Sequence, residues 1–150
     1  CQKGNQYTRF LDGRLVYQQP AIDEVQRLID IRSAKLSAIN AAAQAYINRA
    51  SGADLLPAYE VQSWPMQALE AKAWQADPTA ATPILDGIAA ARGVAADTLK
   101  AAALRKTLAY EAVCARVAGR RQALQTAVEK AKTVADIDAV AVDFDEDASA

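Results

Sequence analysis

The stretch that decides the fold is AIDEVQRLIDIRSAKLSAINAAAQAYINRA, residues 21–50, which contains neither glycine nor proline. Its apolar side chains recur at alternating steps of three and four residues, the spacing of a heptad seam on one helix face. The seam comprises Ile22, Val25, Ile29, Arg32, Leu36, Ile39, Ala43, Tyr46 and Ala50. At a rise of about 1.5 Å per residue, the stretch predicts a helix roughly 45 Å long.

A second seam of the same kind lies near the end of the chain. It comprises Leu99, Ala103, Lys106, Tyr110, Val113, Val117, Arg120, Leu124, Ala127 and Ala131. The pattern predicts a helix from about Asp97 to about Lys132, in which Lys106 and Arg120 extend their charged ends to the rim. Two long helices with narrow apolar seams bury them by lying side by side. We therefore expect a mainly α fold, a coiled-coil-like helical hairpin, with Leu36, Ile39, Val113 and Val117 in its core.

The connection between the long helices predicts two short helices at the tip of the hairpin. Gly52 and Pro57 end the first long helix. Ser63 is expected to cap the next helix, with Pro65 in its first turn, because serine accepts a hydrogen bond from a free N–H at a helix start.

The remaining helix boundaries follow from further turn signals. The second helix is expected to stop at Asp77–Pro78, since the residue before a proline avoids α geometry. Thr82–Pro83 begins the third helix and Gly93 ends it. After the long helix, Thr133 and Asp136 form a capping-box pattern for a short final helix.

The two ends of the chain look different from its middle. Asp12–Gly13 between two β-rich runs predicts a small hairpin in residues 1–19, and Pro20 with Asp23 marks the start of the helical domain, residues 20–142. Residues 143–150 read as an acidic tail. The first residue is Cys1, so we expect either that an N-terminal portion precedes it or that it is an acylated lipoprotein cysteine.

Composition narrows the function classes. The chain has 150 residues with 17 basic and 18 acidic side chains, so no strongly basic surface is expected and nucleic acid is an unfavoured partner. It has no histidine and two cysteines, which argues against His- or Cys-ligated metal and against a histidine-activated nucleophile. No stretch approaches the about 20 apolar residues of a membrane span. We therefore expect a non-enzymatic protein without a cofactor.

Trp64 and Trp74 are the most conspicuous side chains of the connection. The interpretation that we favour is that they supply large apolar area at the tip, where alanine supplies little. The alternative is that they form an exposed pair that binds a partner.

An ordered set of short motifs in residues 30–140 resembles the α-helical C-terminal domain of many tail-fibre assembly and tail proteins of tailed phages and prophages. The residues that match are Trp64, Trp74, Asp77, Thr82, Pro83, Arg92, Gly93, Gly119, Arg121, Gln122, Ala123 and Leu124. The resemblance implies a role beside the tail fibre, as an assembly chaperone or a retained virion component, in the virion tail or in the host cytoplasm during assembly. It supplies no catalytic residue, and it adds Arg92 and Arg121 to the tryptophans as candidate partner-binding or tip-packing residues.

We therefore expect a phage tail-associated structural or assembly protein that contacts a tail fibre or other tail proteins as a homo- or hetero-oligomer. Two alternatives are a lipid-anchored helical protein of the bacterial envelope and a generic coiled-coil adaptor.

Overall fold

A computed structural model describes residues 8–17 and 23–145, and the latter range is mainly helical, as the sequence predicts. It contains five α-helices: α1 (Glu24–Ser51), α2 (Ala58–Ala76), α3 (Pro83–Arg92), α4 (Ala96–Lys130) and α5 (Val134–Asp138). A single 3₁₀ turn, Ala53–Leu55, lies between α1 and α2. Ile22 of the first seam and the predicted helix start at Pro20 lie outside the described residues.

Two short strands, β1 (Thr8–Leu11) and β2 (Arg14–Tyr17), pair antiparallel across Asp12–Gly13. Both turn residues have positive φ, 50° and 75°, as a two-residue hairpin turn requires. The packing of this segment on a helix or on a preceding sheet stays a prediction.

Helix boundaries at the end of α1, at both ends of α3 and at the start of α5 fall where the turn signals place them, whereas α1 starts at Glu24 rather than at the predicted Pro20. The Asp23 carboxylate accepts from the Val25 N–H and caps α1. Gly52 and Gly93 end α1 and α3 with φ of 71° and 67°, a left-handed conformation that glycine adopts without steric cost. Thr133 and Asp136 form the predicted capping box at α5.

The start of α2 is where the prediction is wrong. The helix begins at Ala58 rather than at Ser63, spans 19 residues, and carries Pro65 in its interior. The Pro57 carbonyl accepts from the N–H groups of Glu60 and Val61, so the first turn closes without a side-chain cap. Ser63 instead donates from its hydroxyl to the Glu60 carbonyl within the helix. The connection is therefore not a tip of two short helices.

The helix α4 is the central helix of the domain and contacts each of the other four α-helices. Its C-terminal half packs against α1 and α5, and its N-terminal half packs against α2 and α3. The cluster in the C-terminal half is formed by Ile39, Ala43, Val117, Leu124, Val128, Ile137 and Phe144. In the other half, the buried residues are Ala71, Thr82, Leu85, Ala89 and Lys100.

The predicted α1 seam is buried only in its middle. Ile39 and Ala43 are buried and Leu36 is partly buried, whereas Val25 and Ile29 are exposed. Arg32 explains the limit, because it donates to the carbonyls of Val128 and Ala131 at the C-terminal end of α4. The guanidinium offsets the negative end of the α4 dipole, and in the turns of α1 that precede it Leu28 and Ile31, rather than the seam residues Val25 and Ile29, pack against the core cluster.

The α4 seam also differs from its prediction. Val117 and Leu124 are buried and Val113 is partly buried, but Lys106, Tyr110 and Ala127 are exposed. The contact face changes along the helix because α1 and α5 cover one half while α2 and α3 cover the other. A strict heptad pattern assumes that a single straight helix packs along the whole of α4. It therefore did not predict the burial of Val128 and Lys100.

Candidate protein-interaction surfaces

Trp64 packs between two helices rather than standing free. It lies in α2 and is partly buried, and its ring meets the Tyr110 ring of α4 edge to face, with centroids 5.8 Å apart. The neighbouring Cys114 side chain, one turn further along α4, and partial burial raise the pKa of Tyr110. Trp64 therefore anchors α2 to the middle of α4.

The four predicted candidate residues do not form one site. Trp74 is partly buried near the end of α2. Arg92 is the last residue of α3, and its side chain is exposed. Arg121 lies in the C-terminal half of α4, where its guanidinium donates to the Asn40 and Gln125 side-chain oxygens at 3.2 and 2.9 Å. Arg121 thus belongs to the contact between α1 and α4, far along the chain from the tryptophans.

A shallow groove of about 330 Å³, largely open to solvent, runs beside the contact of α1 and α4, and we call it the α1–α4 groove. It is lined by Asn40, Ala43, Gln44, Ile47, Cys114, Val117, Ala118 and Arg121. Apolar side chains and small alanines form most of it, while two amides and one guanidinium supply hydrogen-bonding groups.

The side of the α1–α4 pair opposite the groove is covered by residues 139–145, which follow α5 and which we call the C-terminal segment. Phe144 is 4% exposed and belongs to the core cluster. Arg116 donates to the Phe144 carbonyl and to the Tyr46 hydroxyl, both at 2.7 Å, and Arg120 donates to the Asp143 carbonyl. The Arg116 guanidinium also lies over the Tyr46 ring, 5.1 Å from its centroid. Residues 143–145, predicted as the start of an acidic tail, therefore pack on the domain.

Polar contacts join α2, α3 and α4 at the opposite end of the domain. Both carboxylate oxygens of Glu70 accept from the first free N–H groups of α3, those of Ile84 and Leu85. Lys100, 8% exposed, donates to Asp86 at 2.9 Å, and this bond lowers the pKa of Asp86. The sequence predicts neither contact: Asp86 lies in the first turn of α3, where acidic side chains are favoured, but Glu70 lies in the second half of α2 and carries no such local signal.

The exposed face of α2 carries a regular stripe of mostly apolar residues, which we call the α2 stripe. It comprises Tyr59, Gln62, Met66, Leu69, Ala73 and Ala76, spaced by three and four residues. Tyr59, Met66 and Leu69 are 74%, 50% and 70% exposed. Trp64 and Ala71, on the opposite face of the helix, pack inward. A seam that points outward on an otherwise packed helix is typical of a protein-binding surface.

In the described residues 8–17 and 23–145, no group of three or more His, Cys, Asp or Glu side chains is placed to hold a metal ion. None of the helices in these residues combines the length and the apolar character that crossing a bilayer requires.

A family model described as the HI1402 helical domain matches residues 105–142. The matched segment covers most of α4, all of α5 and the first part of the C-terminal segment, and it includes Val117, Leu124, Val128 and Ile137 of the core cluster. No curated protein matches the chain. No solved structure matches it either.

Proposed function

We propose that this chain is a phage tail-associated assembly or structural protein, and that its helical domain contacts a tail fibre through the α1–α4 groove. Two lines of support are independent of each other. The first is the resemblance of residues 30–140 to helical domains of tail-fibre assembly and tail proteins. The second is the shape of the domain, in which one side of the α1–α4 pair is covered and the other is open.

The open groove is the observation that carries the proposal. The C-terminal segment covers one side of the α1–α4 pair with Phe144, whereas the opposite side has no element of the described chain over Ile47, Cys114 and Ala118. A partner side chain that enters the groove meets apolar atoms at its floor and the Arg121 and Asn40 side chains beside it. Apolar cores with a polar rim are the usual anatomy of protein interfaces.

The partner class follows from these groups. A guanidinium and two amides recognise carbonyls, carboxylates and hydroxyls of a protein chain, and the small floor accommodates one or two apolar side chains. On this proposal the protein acts in the virion tail or in the host cytoplasm during assembly, and its role is contact rather than chemistry.

Co-expression with the tail fibre encoded beside this chain tests the proposal. Ala118→Trp fills the groove and is expected to abolish co-purification of the fibre. Ala127→Trp is the matched control, because Ala127 is exposed on the same helix and does not line the groove. Retention of the fibre by both variants would refute the groove as the contact, and the absence of any neighbouring tail-fibre gene would count against the function itself.

A further inference from the structure

The α2 stripe has a property that the groove lacks, since its residue sizes are self-complementary. Antiparallel helices pair the two alternating classes of seam positions, so that the first class of one helix meets the second class of the other. In α2 this arrangement places Tyr59 opposite Ala76, Gln62 opposite Ala73 and Met66 opposite Leu69. Large side chains therefore meet small ones at both ends, and two medium apolar side chains meet at the centre.

We propose that the α2 stripe binds the α2 stripe of a second copy of this chain, forming an antiparallel two-fold dimer. A two-fold interface uses one patch on both subunits, so the patch must fit its own copy, and the order of sizes along α2 meets that condition. The two-fold axis passes between residues 67 and 68.

The charged side chains beside the α2 stripe are compatible with the antiparallel dimer. The exposed positions beside the stripe on one margin are Ala58, Pro65 and Lys72. Lys72 is bound to Glu111 of α4 in its own copy, and with the axis between residues 67 and 68 it lies opposite Ser63 of the other copy. No like charges oppose each other along this margin, and the uncharged stripe offers nothing to an ionic ligand.

The inner face of α2 leaves the stripe available. Trp64 and Ala71 pack toward the domain, and Glu70 is engaged with the start of α3, so dimerisation disturbs none of the internal contacts. Each α2 is about 28 Å long, which makes the interface small. We therefore expect a dissociation constant in the micromolar range, on the order of 1–100 µM.

Sedimentation equilibrium of the purified chain over a wide concentration range tests the proposal. The wild type is expected to dimerise, and Met66→Glu and Leu69→Lys are each expected to raise the dissociation constant at least about 30-fold by placing a charge in an apolar seam. Leu108→Glu is the control, because Leu108 is exposed on α4 outside the stripe and its variant should dimerise as the wild type does.

Mixing the two charged variants tests the register. Because Met66 of one copy faces Leu69 of the other, Met66→Glu and Leu69→Lys chains should form a heterodimer that is tighter than either homodimer. A wild type that stays monomeric, or a mixture with no gain in association, would overturn the proposal. So would a monomer whose stripe variants lose the tail fibre, since the stripe would then serve a different partner. Circular dichroism melts establish that the variants remain folded.

Discussion

Phe144→Ala should destabilise the domain markedly, although Phe144 lies in the segment that reads as an acidic tail. The ring is 4% exposed and packs in the cluster with Val117, Leu124 and Ile137. Removing a buried phenylalanine typically costs about 3–5 kcal/mol through lost transfer energy and the cavity left behind. We expect about 3 kcal/mol, the lower end, because an extended segment can shift to close part of the cavity.

Urea unfolding followed by far-UV circular dichroism measures the change. A loss of about 3 kcal/mol should also lower the melting temperature by about 6–12 °C in a chain of this size. Asp145→Ala, one residue further along and exposed, is the control and should change the free energy of unfolding by less than about 0.5 kcal/mol. Equal stability of the two variants would refute the placement of Phe144 in the core.

The Arg116 side chain gives a second, linked measurement. Lysine keeps the charge but lacks the planar group that reaches both the Phe144 carbonyl and the Tyr46 hydroxyl. Arg116→Lys should therefore destabilise the domain, and its effect should be smaller in the Phe144→Ala background, because the same segment is already weakened. Strict additivity of the two substitutions would contradict a coupled contact.

Three further predictions test the two halves of α4. Ile39→Ala should cost about 2–5 kcal/mol in a urea melt, while Val25→Ala, at an exposed position of the same predicted seam, should cost under about 0.5 kcal/mol; similar losses would contradict the bounds of the core. Trp64→Ala should cost about 2 kcal/mol and remove the Tyr110 contact, and an unchanged melt would instead favour a binding role. The pKa of Asp86 is lowered in the folded state, so its contribution is present above the ordinary carboxyl pKa and is lost as the pH falls through about 4 and below. Asp86→Asn should flatten the loss of stability between about pH 5 and pH 2, and an unchanged acid profile would argue against the Lys100 bond.

Local signals predicted much of the fold. Asp23, Gly52, Thr82–Pro83, Gly93 and the Thr133–Asp136 box all lie at helix boundaries in the structure. Each of these residues acts within one turn of its own position, through a side-chain cap, a fixed φ or a left-handed backbone. Such effects are legible in sequence because they do not depend on distant parts of the chain.

The errors arose where distant packing decides the outcome. Pro65 reads as a first-turn residue, yet α2 continues through it, and the adjacent Trp64 packs the helix against Tyr110 of α4. Lys100 lies outside the predicted seam, and its ion pair with Asp86 of α3 makes its burial tolerable. Phe144 is one apolar residue in an acidic run, and its burial depends on Arg116 and Arg120, which heptad spacing alone does not connect to it.

The sequence also indicated only part of each candidate surface. The resemblance singled out Arg121, which the structure places in the α1–α4 groove, but it did not indicate the α1 residues opposite. The α2 stripe is a heptad seam that the sequence displays, yet the predicted helix start at Ser63 hid its first two positions. A boundary error of nearly two helical turns, with Ser63 predicted as the cap in place of Pro57, was therefore enough to conceal a surface.

Hydrogen–deuterium exchange of the chain, alone and with a tail-fibre protein encoded beside it, tests the central claim most directly. The proposed function predicts slower exchange on fibre binding in peptides that cover residues 40–47 and 114–121, the two walls of the groove, with α3 unchanged. Identical exchange in every peptide at fibre concentrations up to about 100 µM, or protection confined to α3, would contradict the claim that this domain contacts a tail fibre through the α1–α4 groove.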